Sequence, residues 1–182
     1  MSARSIQIID EGFADGLQRL LARGGNLGTL TFLIGQGIEE RIDKRFATST
    51  GPDGQRWKAN SDLTLAREAV RLAVSGANKK KDGSLNKRGA KLLAGKKPLI
   101  GETGRLRDQI VALADATGVT VTDGGTEYAA MHQFGGTRAQ FPNLWGDIPA
   151  RPFMPITASG DLYPAEAGEV MADLNDYFRD LG

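Results

Sequence analysis

Apolar residues recur at helical spacing in LGTLTFLIGQGIEERIDKRFATS, where Leu27, Leu30, Ile34, Ile38, Ile42 and Phe46 lie three or four positions apart. Glu39, Glu40, Arg41, Asp43, Lys44 and Arg45 fall between them, so the pattern predicts a long helix with one buried face and one wet, charged face. Before it, DEGFADGLQRLLARGG has Phe13, Leu17, Leu20 and Leu21 on one stripe. Asp10 suits its N-cap and Gly24–Gly25 its stop, because glycine accepts the left-handed conformation of a helix end. SDLTLAREAVRLAVSG reads as a third helix, capped by Ser61 or Asp62. YPAEAGEVMADLNDYFRDL reads as a closing one, with Pro164 in its first turn and Val170, Leu174, Tyr177 and Phe178 on its apolar stripe.

Between these helices the period changes. Val119 and Val121 alternate with threonines in TGVTVTD, the two-residue period of a strand. LRDQIVALAD is its candidate partner, although its alanines and leucines suit a helix as well. TEYAAMHQFG predicts a short helix with Thr126 as N-cap, ended by Gly135–Gly136. IPARPFMPI is extended, since closely spaced prolines forbid a regular helix. GPDGQRW is a turn built on Pro52 and Asp53–Gly54, with Trp57 as the anchor that returns it to the core. Helices, a small antiparallel sheet and a closing helix together define an α+β class: long helices packed on a small antiparallel sheet, with an extended basic arm or loop. The expected organisation is a single domain over 1–182 carrying a basic insertion at about 76–97.

The chain has 182 residues, no cysteine and a net charge of +1. A core of that size needs no disulfide or metal, and the absence of thiols fits a reducing compartment. No apolar run reaches the roughly 20 residues of a membrane span, and Asp10 and Glu11 cut short the N-terminal apolar stretch that a signal peptide would need. The near-neutral total conceals an uneven distribution. Lys79, Lys80, Lys81, Lys87, Arg88, Lys91, Lys96 and Lys97 crowd one segment with a single acid, whereas Asp161 to Asp180 holds six acids and one arginine. Such runs are commonly solvated faces, but opposed runs also let copies of a chain attract one another. The basic segment, loosened by Gly83, Gly89 and Gly95, reads as a mobile loop or two short helical turns that an anionic partner would order.

His132 is the only histidine. Metal centres need several converging ligands, and its neighbours are Met131 and Gln133. No nucleophile elbow accompanies it, and GQGIEER lacks the lysine and hydroxyl ending of a phosphate loop. The residues therefore offer no catalytic, metal or cofactor constellation. His132 and Gln133, beside Tyr128 and Phe134, read as hydrogen-bonding groups that pin a loop. Arg151, stiffened between Pro149 and Pro152, reads with Phe153 as an interface element, the alternative being that Phe153 is simply core. Paired carboxylates such as Glu39–Glu40 are expected on an exposed helix face.

PDGQRW, GETGRLRDQI, YAAMHQFGG and IPARPFMPI, in that order and followed by a C-terminal helix, resemble the phage virion morphogenesis family, whose members include the Mu G-type and P2 S-type tail completion proteins. The matching positions are Pro52, Asp53, Gly54 and Trp57; Thr103, Gly104, Arg105 and Leu106; Tyr128, Ala129, His132, Gln133, Phe134 and Gly135; and Pro149, Ala150, Arg151, Pro152 and Phe153. The basic segment and TRAQFPNLWGD lengthen the links between these motifs. The resemblance implies a structural protein of tailed bacteriophages without catalytic activity or cofactor, found in the virion and assembled in the host cytoplasm. It implies action in tail completion or at the head–tail junction, beside other neck or tail proteins. It also implies a homo-oligomeric ring, a hexamer or alternatively a dodecamer. The basic segment would contact an acidic protein surface or channel DNA, and a nucleic-acid-binding module that uses it directly is the alternative function.

Overall fold

The computed structural model describes residues 26–101, 104–126, 128–144 and 146–180. In chain order its elements are α1 (Leu27–Thr48), α2 (Asp62–Val74), a 3-10 turn (Gly76–Asn78), α3 (Lys87–Ala94), α4 (Arg105–Asp108), β1 (Val111–Asp115), β2 (Gly118–Thr122), α5 (Ala129–Phe134) and α6 (Pro164–Asp180). This is the α+β arrangement expected, helices packed with a small antiparallel sheet. The helix expected from Asp10 lies outside the described residues, as does Thr103.

α1 is the spine. Asn26 caps it by accepting the Gly28 and Thr29 N–H groups, and Ser49 ends it in the left-handed region at φ 57°. Leu30, Ile34, Ile38, Ile42 and Phe46 are all buried, as their spacing requires. Each such side chain contributes ~1.5–3 kcal/mol by leaving water. On one side of this stripe lies the β1–β2 hairpin, paired antiparallel with Val111 opposite Thr122 and Ala112 opposite Val121. Ala112, Ala114 and Val119 face Gly35 of α1. Two side chains of α1 fasten the hairpin: Glu39 accepts the Ala112 N–H, and Thr31 Oγ1 donates to Asp115 O at 2.7 Å. Glu39 is thus engaged rather than left to solvent. On the other side α6 packs with Val170 and Leu174 buried.

Two local expectations are corrected. The front of LRDQIVALAD is a helical turn, because Gly104 at φ 64° starts α4 and its carbonyl accepts the Arg107 and Asp108 N–H groups. Thr126 does not cap α5 with its side chain: its hydroxyl goes to Gln109 and to Asp123 O, and its backbone carbonyl takes the Ala129 N–H.

The basic segment takes the second of its two expected forms, short helical turns, and folds within the chain. α2 and α3 pack on each other and on the 3-10 turn. Lys79 bridges Leu85, and Asp82 accepts from the N–H and hydroxyl of Ser84, closing a tight loop. Asn86 caps α3 on Gly89 N–H at 3.0 Å and donates to Ala77 O. Gly89 passes so close to Asn78 that a Cβ would lie 2.5 Å from its carbonyl oxygen, so only glycine fits. Local side-chain to backbone bonds hold the backbone of this arm. Its base is tied to the rest of the chain by Asn60 Nδ2 to Lys96 O at 3.2 Å and by Lys97 Nζ to Ala47 O at 2.6 Å.

Candidate functional site

The motif residues, up to about 95 positions apart in sequence, converge on the segment Pro149–Ile156. α5 is one turn and a half long, and its Gln133 side chain turns inward, 4% exposed. The amide oxygen accepts the Phe153 and Met154 N–H groups at 2.9 Å, and the amide nitrogen donates to Ile156 O at 2.9 Å and Met154 O at 3.3 Å. One carboxamide thus satisfies four main-chain groups of a segment whose prolines prevent it from joining a sheet. Arg151 N–H adds a bond to His132 O at 2.7 Å, and Gly136 pairs with Ile148. Gly135 makes the turn between these contacts at φ 73°, with no room for a Cβ, which would sit 2.8 Å from Ala150 N.

From the other side, Trp57 Nε1 donates to Pro152 O at 2.9 Å, while its ring meets Phe46 edge-on at 5.4 Å. Phe46 in turn lies 5.5 Å from the Phe153 ring. Phe153 is 0% exposed, so it is a core residue and offers nothing to a neighbour. Arg151 is also buried, its Nε donating to Lys58 O at 2.8 Å and its Nη2 to Ala59 O at 2.9 Å. Within the chain the pair is structural. The proline-held arginine binds the chain just before α2 and so fixes the root of the arm.

Beneath this clamp is a charged cluster that the sequence pattern did not reveal. Glu166 of α6, 1% exposed, takes hydrogen bonds from buried Arg45 and from Arg41 Nε at 2.8 Å. Arg41 Nη1 reaches Asp173 at 3.0 Å, and Arg45 Nη1 donates to Phe153 O at 2.9 Å. Arg45 lies one position before Phe46 on the spine, where a wide buried stripe takes in a flanking residue. The one sequence signal was Arg45 and Glu166 each lying within a turn of the apolar positions of their helices. The cluster also alters the acidic tail: Glu166 and Asp173 are paired within the chain and Asp176 is bonded to Arg179, so the tail is not a continuous free anionic face.

His132 lies at the edge of a cleft of about 450 Å³ lined by α2, the 96–101 segment, α4 and α5, with Arg67, Glu68, Lys96 and Arg105 among its walls. Its ring meets Tyr128 edge-on at 5.8 Å, and Nδ1 is buried without a hydrogen-bond partner. Burial, and after it the charge of Arg151, hold the imidazole below its ordinary 6.5. Hydrogen bonding to Arg71 and attraction to Lys96 keep the Glu68 carboxyl below its ordinary range. Arg105 opens α4 at the cleft wall with Nε on Gln109, Tyr128 stands half exposed and Phe134 partly buried. No group of three or more acidic or histidine side chains capable of holding a metal occurs among the described residues. Of the basic contact residues, Lys96 is half-buried against Glu68 and the exposed Lys97 donates to Ala47 O, whereas Lys79, Lys80, Lys81, Lys87, Arg88 and Lys91 are exposed on the arm.

These motifs come together as a brace of main-chain contacts that holds the chain's shape. The chain belongs to the phage virion morphogenesis family, whose model matches residues 8–166. Membership points to a structural or morphogenetic role in a bacteriophage and to a component of the virion. No curated protein and no solved structure matches the chain. No helix among the described residues is long and apolar enough to cross a membrane.

Proposed function

We propose that the protein is a non-enzymatic structural subunit of a tailed phage that completes the tail or joins it to the head, acting as a ring, hexameric or else dodecameric, among other neck or tail proteins. The observation that carries this reading is the use made of the family's motif residues. Trp57, Gln133, Arg151 and Phe153 are spent on main-chain hydrogen bonds and core packing. A rigid body results, from which the α2–α3 arm is held out at a fixed root. A ring requires such a body, because each copy must offer two different patches at a constant angle. The test is a phage carrying an amber mutation in this gene, examined by electron microscopy of the lysate. Filled heads and separate tails that join when purified protein is added support the reading. Normal particles without the protein would refute it.

A second reading has the six exposed cations of the arm binding nucleic acid directly. They stand together on one short loop and helix, which is the observation in its favour. Each phosphate neutralised steepens the salt dependence of duplex affinity by ~0.9 in log–log slope, so six contacts predict a slope near about −5. A slope close to zero removes that reading.

A further inference from the structure

The cleft beside His132 gathers an excess of positive charge. Arg67 and Arg71 from α2, Lys96 from the segment after α3 and Arg105 from α4 line it, and Glu68 is the single acid among its described lining residues. Glu102 and Glu127 belong to the adjoining stretches of chain and lie outside the described residues. Counting both of them in leaves Glu68, Glu102 and Glu127 against four cations, still a positive sum. The field in the cleft follows that sum, whichever partner each guanidinium takes.

A further charge stands behind the wall. Arg151 is 7% exposed, and its Nε and Nη2 donate to the neutral carbonyls of Lys58 and Ala59. Burial lowers its pKa and no described carboxylate opposes that effect, whereas Arg41, despite its burial, is raised by Glu166 and Asp173. Carbonyl dipoles satisfy the donors of a buried guanidinium but do not neutralise it. Its charge reaches the His132 ring, where it adds to burial in holding the imidazole down.

The rest of the cleft is apolar. Leu99, Ile100, Leu106 and the Tyr128 ring, 45% exposed, line the same space. Leu99 is held there at φ 61°, a left-handed conformation that leucine rarely adopts and that ligand-binding segments often keep. A space of about 450 Å³ takes one or two side chains. A duplex cannot follow its phosphates into it. A peptide can place a carboxylate among the guanidinium groups and a neighbouring apolar side chain against Leu99 and Tyr128.

We propose that this cleft docks an acidic segment of another virion protein, one that carries an apolar side chain beside its carboxylates. Such docking goes beyond the ring reading and does not depend on it.

His132 is the only histidine, so its imidazole proton resonances report on the edge of the cleft without ambiguity. The full chain at low salt is titrated with a short peptide of alternating aspartate and leucine, and separately with its asparagine–leucine counterpart, with inorganic phosphate and with a short DNA duplex. The expected result is a saturable shift of the imidazole resonances by the acidic peptide, with a dissociation constant below about 1 mM, and none by the neutral one. Arg67→Gln and Arg105→Gln, both at exposed positions, should each keep the melting curve and weaken binding ~5-fold or more. A neutral peptide that shifts the resonances equally, an acidic peptide that leaves them unmoved at ~10 mM, or affinities unchanged in both variants would overturn the docking. Phosphate or duplex acting at lower concentration than the peptide would overturn it too, by giving the cleft to phosphate. Each of these results leaves the ring reading, tested on lysates, standing.

Discussion

Replacing Glu166 by glutamine tests whether the buried charge cluster is the joint between α1, α6 and the proline segment. The substitution keeps the volume and one acceptor oxygen, but removes the charge that faces buried Arg45. Arg41 retains Asp173 at 3.0 Å, whereas Arg45 is left facing the neutral Phe153 carbonyl. Leaving one member of a buried pair without its counter-charge costs ~3–5 kcal/mol. Against a total stability of ~5–15 kcal/mol that is a large fraction. In a domain of this size it corresponds to a fall in melting temperature of about 6–20 °C. Urea titration is the appropriate assay, since a drop in midpoint at constant slope reports stability and not a change in compactness. Changing both partners, Arg45→Met with Glu166→Met, should recover at least half of the loss, because no charge then remains stranded. A loss below ~1 kcal/mol for Glu166→Gln would refute the reasoning, since exposed pairs have that worth.

Three further outcomes follow from the clamp. Gln133→Leu should cost at least ~3 kcal/mol by urea titration, because it strands one buried and three partly buried main-chain groups at ~1–3 kcal/mol each before relaxation; a neutral result would mean that the segment re-pairs. Arg151→Ala should speed amide exchange at residues 58–61 and throughout the arm by more than in β1, since it releases Lys58 O and Ala59 O; uniform acceleration would contradict a hinge role. His132, held below 6.5 in the folded chain mainly by burial, should make stability fall as pH drops through 6.5, because the unfolded chain takes up the proton first; the loss stops growing below the folded-state value. His132→Gln should flatten the melting temperature between pH 5.5 and 7, and an unchanged slope there would count against the assignment.

The sequence by itself determined the spine. Leu30, Ile34, Ile38, Ile42 and Phe46 are buried because a period of 3.6 leaves a helix only one way to gather them. The valine–threonine alternation set β2, and Ser61 and Pro164 marked helix starts, because these signals are local and each residue acts on its own backbone. The ordered motifs were sufficient for the family. Tertiary structure decided what those motifs do. Arg151 and Phe153 read as surface contacts because an arginine between prolines carries no sign of the carbonyls of Lys58 and Ala59 lying more than 90 residues earlier. Gln133 became the centre of the clamp through four groups supplied by a segment about 20 residues later. The acidic tail lost two of its charges to Arg41 and Arg45 because a carboxylate's partner is fixed by which helices cross, and composition holds no record of that. Which of its two forms the arm takes was decided locally: its lysines suggested repulsion, but they point outward while Asn78, Asn86 and Gly89 close the backbone beneath them, and at screened distances of several ångströms in water such repulsion is weaker than those local bonds.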